Sequence, residues 1–298
     1  MPIQYDITHT TLYRYNSPVT FGEHRVMFRP RDSHDLRVLA TDLQVSPEAI
    51  VRMIQDPHSN SVALVQPIVP ATELRIVCSF TIEHAMTLNL ELPLAPLADI
   101  FPFAYSVEDR FDLEHYLRPH YDDPQGELTA WARQFIRTDG PTGTRELLVQ
   151  MNQHIRDTLA YAERDEEGTQ TPLHTLSIQS GSCRDFALLM MEAARRLGIA
   201  TRFVSGYLYD PALDGADANG DAVTGAGATH AWLQAYLPGA GWVPFDPTNN
   251  LLGGNQLIRV GVARDPSHAA PVSGSWYGPK DAFVGLAATV QVSRRPDA

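Results

Sequence analysis

Gly181-Ser182-Cys183-Arg184-Asp185-Phe186-Ala187 opens the most informative stretch of the chain, which runs on as Leu188-Leu-Met-Met-Glu-Ala-Ala-Arg-Arg-Leu-Gly198. Phe186, Ala187, Met190, Ala194 and Leu197 recur at helical spacing and form one apolar face. Arg195 and Arg196 suit the C-terminal end of a helix dipole, and Gly198 suits the position just past it. The spacing predicts a helix that starts at or beside Cys183. The unpaired N–H groups and the dipole at such a start stabilise an anion, and the thiolate is the reactive form of cysteine. Gly181 and Ser182 let backbone approach the sulfur closely. Taken alone, the segment also fits a buried, inert cysteine.

Strands follow the helix. Thr201 to Tyr209 reads as one, and Ala231 to Leu237 and Trp242 to Phe245 as two more, joined by Pro238-Gly-Ala-Gly241. A thiol nucleophile needs a base within hydrogen-bond reach. Of the eleven histidines, His230 stands out because it begins a strand. If the hairpin turns near Gly239, Trp232 lies opposite Asp246, and His230 is its diagonal neighbour on the same face. A carboxylate there would fix the ring tautomer and stabilise an imidazolium. Read without Cys183, Asp246 is equally a turn residue before Pro247.

Residues 1–90 read as a β-sandwich-like domain. Ile3, Tyr5 and Ile7 alternate with polar residues, and Leu74, Ile76, Cys78, Phe80 and Ile82 share one strand face. Cys78 is thus expected to be an inert core cysteine. Residues 91–140 form a helical connector after the proline-rich run Leu92 to Pro102. Asp123 is expected to cap a helix starting at Pro124, and Thr144 to cap the next one. Residues 141–298 form the remaining unit, with C-terminal strands at Ile258–Ala263 and Val284–Val292. The fold class is α+β. The Gly-, Ala- and Asp-rich segment 210–228 reads as a mobile loop, placed as a lid before His230. Its aspartates miss the spacing of a calcium loop.

The bulk numbers exclude some partners. The chain has 298 residues and a formal charge of −12, with 44% apolar and 19% charged residues. An acidic surface without a basic block argues against nucleic acid and anionic membranes. No apolar run is long enough to span a bilayer, and no signal peptide is visible in MPIQYDITHTTLYRY. Two cysteines do not make a disulfide framework, so a cytoplasmic location is expected. No metal-ligand cluster or phosphate loop appears, so neither metal nor cofactor is expected. Lys280 is the sole lysine, which makes the chain a poor amine donor for its own cross-linking.

Three blocks in order carry a resemblance: Gly181-Ser-Cys-Arg-Asp-Phe-Ala187, Thr229-His-Ala-Trp232 and Trp242-Val-Pro-Phe-Asp-Pro-Thr248. Together they resemble the bacterial transglutaminase-like family, whose core is papain-like. Val204-Ser-Gly-Tyr207, the N-terminal β region and the tail Arg264-Asp to Gly274 also look familial, so the resemblance spans nearly the whole chain. It implies a nucleophile helix packed on an antiparallel sheet. It also implies acyl transfer or hydrolysis at an amide or peptide carbonyl, through a thioester on Cys183. His230 would be the base and Asp246 its orienting group. The Cys183 N–H would be one oxyanion donor. Gln179 is the side-chain candidate for a second, though its offset from Cys183 is shorter than that of a papain-type glutamine. Trp232 and Tyr207 are candidates to line the cleft. The implied partner is a protein or peptide substrate, with water or an amine as acceptor left open. A non-catalytic scaffold on the same fold and an arylamine N-acetyltransferase-like enzyme are the alternatives.

Overall fold

The computed structural model describes residues 2–85, 91–164, 166–211, 227–254 and 256–295. The first part of the chain holds β1 (Ile3–Phe21), β2 (His24–Val26), β3 (Leu36–Ser46), β4 (Ala49–Gln55), β5 (Ser61–Pro67) and β6 (Ala71–His84). Next come β7 (Ile100–Phe101), α1 (Val107–Asp112), α2 (Glu114–Leu117), α3 (Glu127–Arg133), β8 (Thr142–Gly143), α4 (Thr144–Thr158), β9 (Ala160–Tyr161), α5 (Pro172–Ile178) and β10 (Ser180–Gly181). The remainder is α6 (Cys183–Arg196), β11 (Thr201–Leu208), β12 (Thr229–Leu237), β13 (Gly241–Phe245), β14 (Leu257–Ala263), β15 (Val272–Ser273), β16 (Trp276–Tyr277) and β17 (Phe283–Arg294).

Two sheets make the N-terminal sandwich. One has the order β16-β1-β6-β3, with β17 also paired to β1; the other is β15-β2-β5-β4. Leu74, Ile76, Cys78, Phe80 and Ile82 all point into the shared core, as their alternation predicts. The tail does not belong with the second unit alone. Only Leu257–Ala263 joins that sheet; from Val272 onward the strands pair with β1 and β2. Strand pairing across the whole length of the chain leaves no mark in local sequence, so the sequence placed Val284–Val292 on the wrong sheet.

The second sheet system has the order β13-β12-β11-β14, all antiparallel. Helix α6 packs against it. Phe186, Ala187, Met190 and Ala194 join Phe203, Leu233, Ala235, Val243 and Phe245 in one core. Residues of α3 and α4, including Leu128, Ala132, Leu148, Met151 and Ile155, complete this core. Losing a ring such as Phe186 from so closed an interior costs ~3–5 kcal/mol. Gly198 ends α6 at φ 80°, the left-handed position its sequence promised.

Two helix starts differ from expectation. Helix α3 begins at Glu127, not Pro124, because Gly126 at φ 72° forms the turn before it. Asp123 still caps it, accepting from the N–H groups of Leu128 and Thr129 at 3.1 and 2.9 Å. Thr144 is the first residue of α4, and its hydroxyl is buried without a partner among the described residues, so it is no cap. The two halves meet along β11 and β14. Asn60 brackets the Val262 backbone with two hydrogen bonds, and His9 Nδ1 lies 2.9 Å from the Tyr207 hydroxyl. Among the described residues no helix is long and apolar enough to cross a membrane.

Candidate active site

Cys183 is the first residue of α6, with Ser182 as the capping residue before it. Asp185 builds this start. Its carboxylate accepts from the Ser182 N–H at 2.9 Å and the Ser182 hydroxyl at 2.8 Å. It also accepts from Arg164 and from the Gln170 N–H, so it ties the preceding loop to the helix. The carboxylate is fully buried, which makes these bonds obligatory. An acid in the first turn complements the helix dipole, and Asp185 has a second task, fixing the segment that carries the thiol. Cys183 itself is half-buried, and no disulfide ties it.

His230 and Asp246 come together as the hairpin register requires. Strands β12 and β13 pair with Leu237 opposite Gly241 and Leu233 opposite Phe245, which centres the turn on Gly239. The next step places Trp232 opposite Asp246 and His230 on the diagonal. His230 Nε2 donates to Asp246 Oδ2 at 2.8 Å, with both side chains fully buried. Asp246 also accepts from the Thr248 N–H at 2.9 Å and from Asn249 Nδ2 at 3.0 Å. Its backbone bridges to Leu251, which closes the turn. Trp232 lies flat beside the imidazole, with ring centroids 6.0 Å apart and 28° between planes.

The electrostatics fit an ion pair. Burial pulls the His230 pKa down, but the Asp246 charge, its hydrogen bond and Cys183 together raise it to about 10. Burial pushes the Asp246 carboxyl up, yet His230, Asn249 and the Thr248 N–H outweigh it and leave the pKa below its ordinary value. Asp246 occupies Nε2. Nδ1 is buried and, among the described residues, makes no hydrogen bond of ordinary geometry, which leaves it free to serve the Cys183 sulfur.

The other candidates fall elsewhere. Gln179 is exposed, sits at φ 52° at the end of α5 and spends its amide on the Leu176 carbonyl at 2.6 Å. That left-handed turn aims its side chain back along its own helix, so it offers no donor to the thiol. Tyr207 is buried in the N-terminal sandwich core, against His9 and Phe28, not at a cleft with Cys183. Trp232 is also buried, but it does border a small polar cleft with Gln234, Pro244, Leu257, Arg259, Asp35 and His84. The loop 210–228 lies almost entirely outside the described residues, and so does the calcium-loop reading of 214–221.

One residue went unnoticed in the sequence. Tyr161 lies on β9, which pairs with β10 so that Tyr161 is opposite Gly181, two residues from Cys183. Its ring meets Phe186 edge-on at 6.4 Å. Burial first, and then the charge of Cys183, push its phenol up to about 12, so it keeps its proton at neutral pH. A lone tyrosine after a helix reads as ordinary core; only the parallel pairing of β9 and β10 reveals its place.

A thiol at a helix start and a buried His–Asp pair on an antiparallel sheet define the class of thiol enzymes with a papain-like core. Residues 129–247 match the family model of the Transglutaminase-like superfamily, and residues 5–83 match that of the Bacterial transglutaminase-like N-terminal region. The chain belongs to the bacterial transglutaminase-like family. It is 29% identical over 276 residues to an uncharacterized protein of Mycobacterium leprae, covering 91% of this chain and 92% of that one. An uncharacterized protein of Mycobacterium tuberculosis is 27% identical over 287 residues, covering 92% and 88%. The fold is similar to the crystal structure of a candidate cysteine protease from Cytophaga hutchinsonii. The TM-score is 0.72 at 18% identity, covering all of this chain and 92% of the other.

Proposed function

We propose that the protein is a thiol enzyme that attacks an amide or peptide carbonyl through Cys183 and passes through a thioester. The reading rests on one observation: a fully buried His230 held through Nε2 by Asp246, with Nδ1 left for Cys183. His230 takes the thiol proton and returns one to the leaving amine. Asp246 sets the ring and stabilises the imidazolium. The oxyanion is received by the Cys183 N–H and the Tyr161 hydroxyl, in place of Gln179. Water or an amine then releases the acyl group. A reducing compartment, the cytoplasm, keeps the two free thiols reduced.

The test is a screen of glutamine-containing and fluorogenic peptide amides, with and without an added primary amine, on wild type and Cys183→Ser. Turnover lost in the variant, with a trapped acyl group on Cys183 seen by mass spectrometry, supports the reading. Amine incorporation marks a transferase and free acid a hydrolase. Turnover that survives Cys183→Ser overturns it.

A further inference from the structure

The N-terminal sandwich is not filled. Between its two sheets lies a cavity of about 190 Å³ lined by Val26, Phe28, Leu43, Met53, Ala63 and Cys78, with Arg29, Thr41 and Ser61 adding polar atoms. Protein interiors normally close such voids, because empty apolar volume forfeits packing energy. A dry cavity of about 150 Å³ already accepts a benzene ring. This one is larger and it is open. Its mouth falls between β3 and β4, the edge strands of opposite sheets, each paired, among the described residues, only inward, to β6 and to β5. Met53 stands at that mouth, half exposed.

The charge at the cavity selects the head of its occupant. Arg29 is half-buried beside Cys78, and no carboxylate among the described residues pairs with it. Its single hydrogen bond there is a long one, 3.4 Å, to the Pro30 carbonyl. Asp42 is the acidic neighbour, but it alternates away from Thr41 and Leu43 along β3 and accepts from Gln44 instead. A guanidinium without a carboxylate partner, at the end of an apolar pocket, matches a planar carboxylate. Burial holds the Cys78 thiol near pKa 11, so the wall beside Arg29 is neutral.

We propose that this cavity is a binding site for a small apolar carboxylate, one aromatic ring or a short branched chain in size, with Arg29 receiving the carboxylate. The site is separate from Cys183 and does not depend on the function proposed for it.

Benzoate and toluene are the probes, read by the methyl signal of Met53 in protein labelled at methionine methyls, with Met53→Leu to assign it. Benzoate should move that signal saturably in wild type. Arg29→Met should weaken benzoate at least tenfold and leave toluene unchanged, and Ala63→Leu should block both. A Met53 signal that benzoate leaves still overturns the proposal. Equal benzoate affinity in wild type and Arg29→Met overturns the assignment of the carboxylate to Arg29. Because Arg29 is half exposed, its variant keeps the test valid even where Ala63→Leu fails to fold.

Discussion

Asp246 holds His230 by Nε2, not by Nδ1, at 2.8 Å in a fully buried pair. The carboxylate thereby sets which nitrogen faces the thiol. Asp246→Asn keeps the shape but loses the charge that favours the imidazolium. It should lower kcat by about 10³–10⁴-fold with little effect on thermal stability, as a tautomer change does in serine triads. Steady-state kinetics beside a melting curve checks this; a variant within a few-fold of wild type would remove Asp246 from the chemistry.

The two thiols should differ sharply toward iodoacetamide. Cys183 is half-buried at a helix start, and Cys78 is buried with its thiol held near pKa 11. At pH 7 Cys183 should label at least tenfold faster in wild type than in His230→Ala, while Cys78 stays unlabelled in both. Peptide mass spectrometry separates the sites. Equal Cys183 rates in the two proteins would mean that His230 does not activate it.

Tyr161→Phe removes one hydroxyl and keeps the ring against Phe186. Loss of an oxyanion donor costs about 10²–10³-fold in kcat, so a fall of that order with KM nearly unchanged is expected. Gln179→Ala should leave kcat unaltered, since that amide serves the Leu176 carbonyl.

His9 should make the fold acid-sensitive. Burial depresses its pKa to about 3, well below the ordinary value of 6.5. The unfolded chain therefore takes up a proton as pH drops below 6.5, while the folded one does not until about 3. Its stabilising effect is complete above pH 6.5 and is lost progressively toward pH 3. Urea midpoints measured from pH 7 to 4 should fall more steeply for wild type than for His9→Asn; parallel curves would assign the acid sensitivity to other groups.

Gly206 sits opposite His230 in the β11–β12 pairing. A Cβ there would meet the Ile258 carbonyl at 2.2 Å and the Trp232 ring at 2.7 Å. Gly206→Ala should cost ~1–3 kcal/mol or more and disturb the ring that backs the imidazole. Denaturant unfolding and kcat should therefore fall together.

Much of the site was legible because its signals are local. Cys183 announced itself by helix periodicity and the Gly-Ser approach. The His230–Asp246 diagonal followed from a turn whose glycines fix its centre. What was hidden depends on distant pairing or on single backbone angles. Tyr161 needed the β9–β10 contact. Gln179 went astray through one positive φ. Tyr207 was a cleft candidate within a segment that looks familial; its hydroxyl instead meets His9, nearly two hundred residues earlier. The sandwich was readable from alternation, but not the fact that residues 283–294 complete it.

That completion bears on how the molecule is born. Strand β1 pairs with β17 from Tyr5 through Tyr15, so one of its flanks has no cover until the ribosome has passed residue 294. The thiol, the histidine and the aspartate are all synthesised earlier, inside a loop of chain whose two ends have yet to meet. A translating chain halted before residue 283 would carry Cys183, His230 and Asp246 on or beside one sheet while β1, in the other, keeps a bare edge, the kind of surface that recruits other strands. A chain truncated before residue 283 should aggregate, where the full-length chain should not.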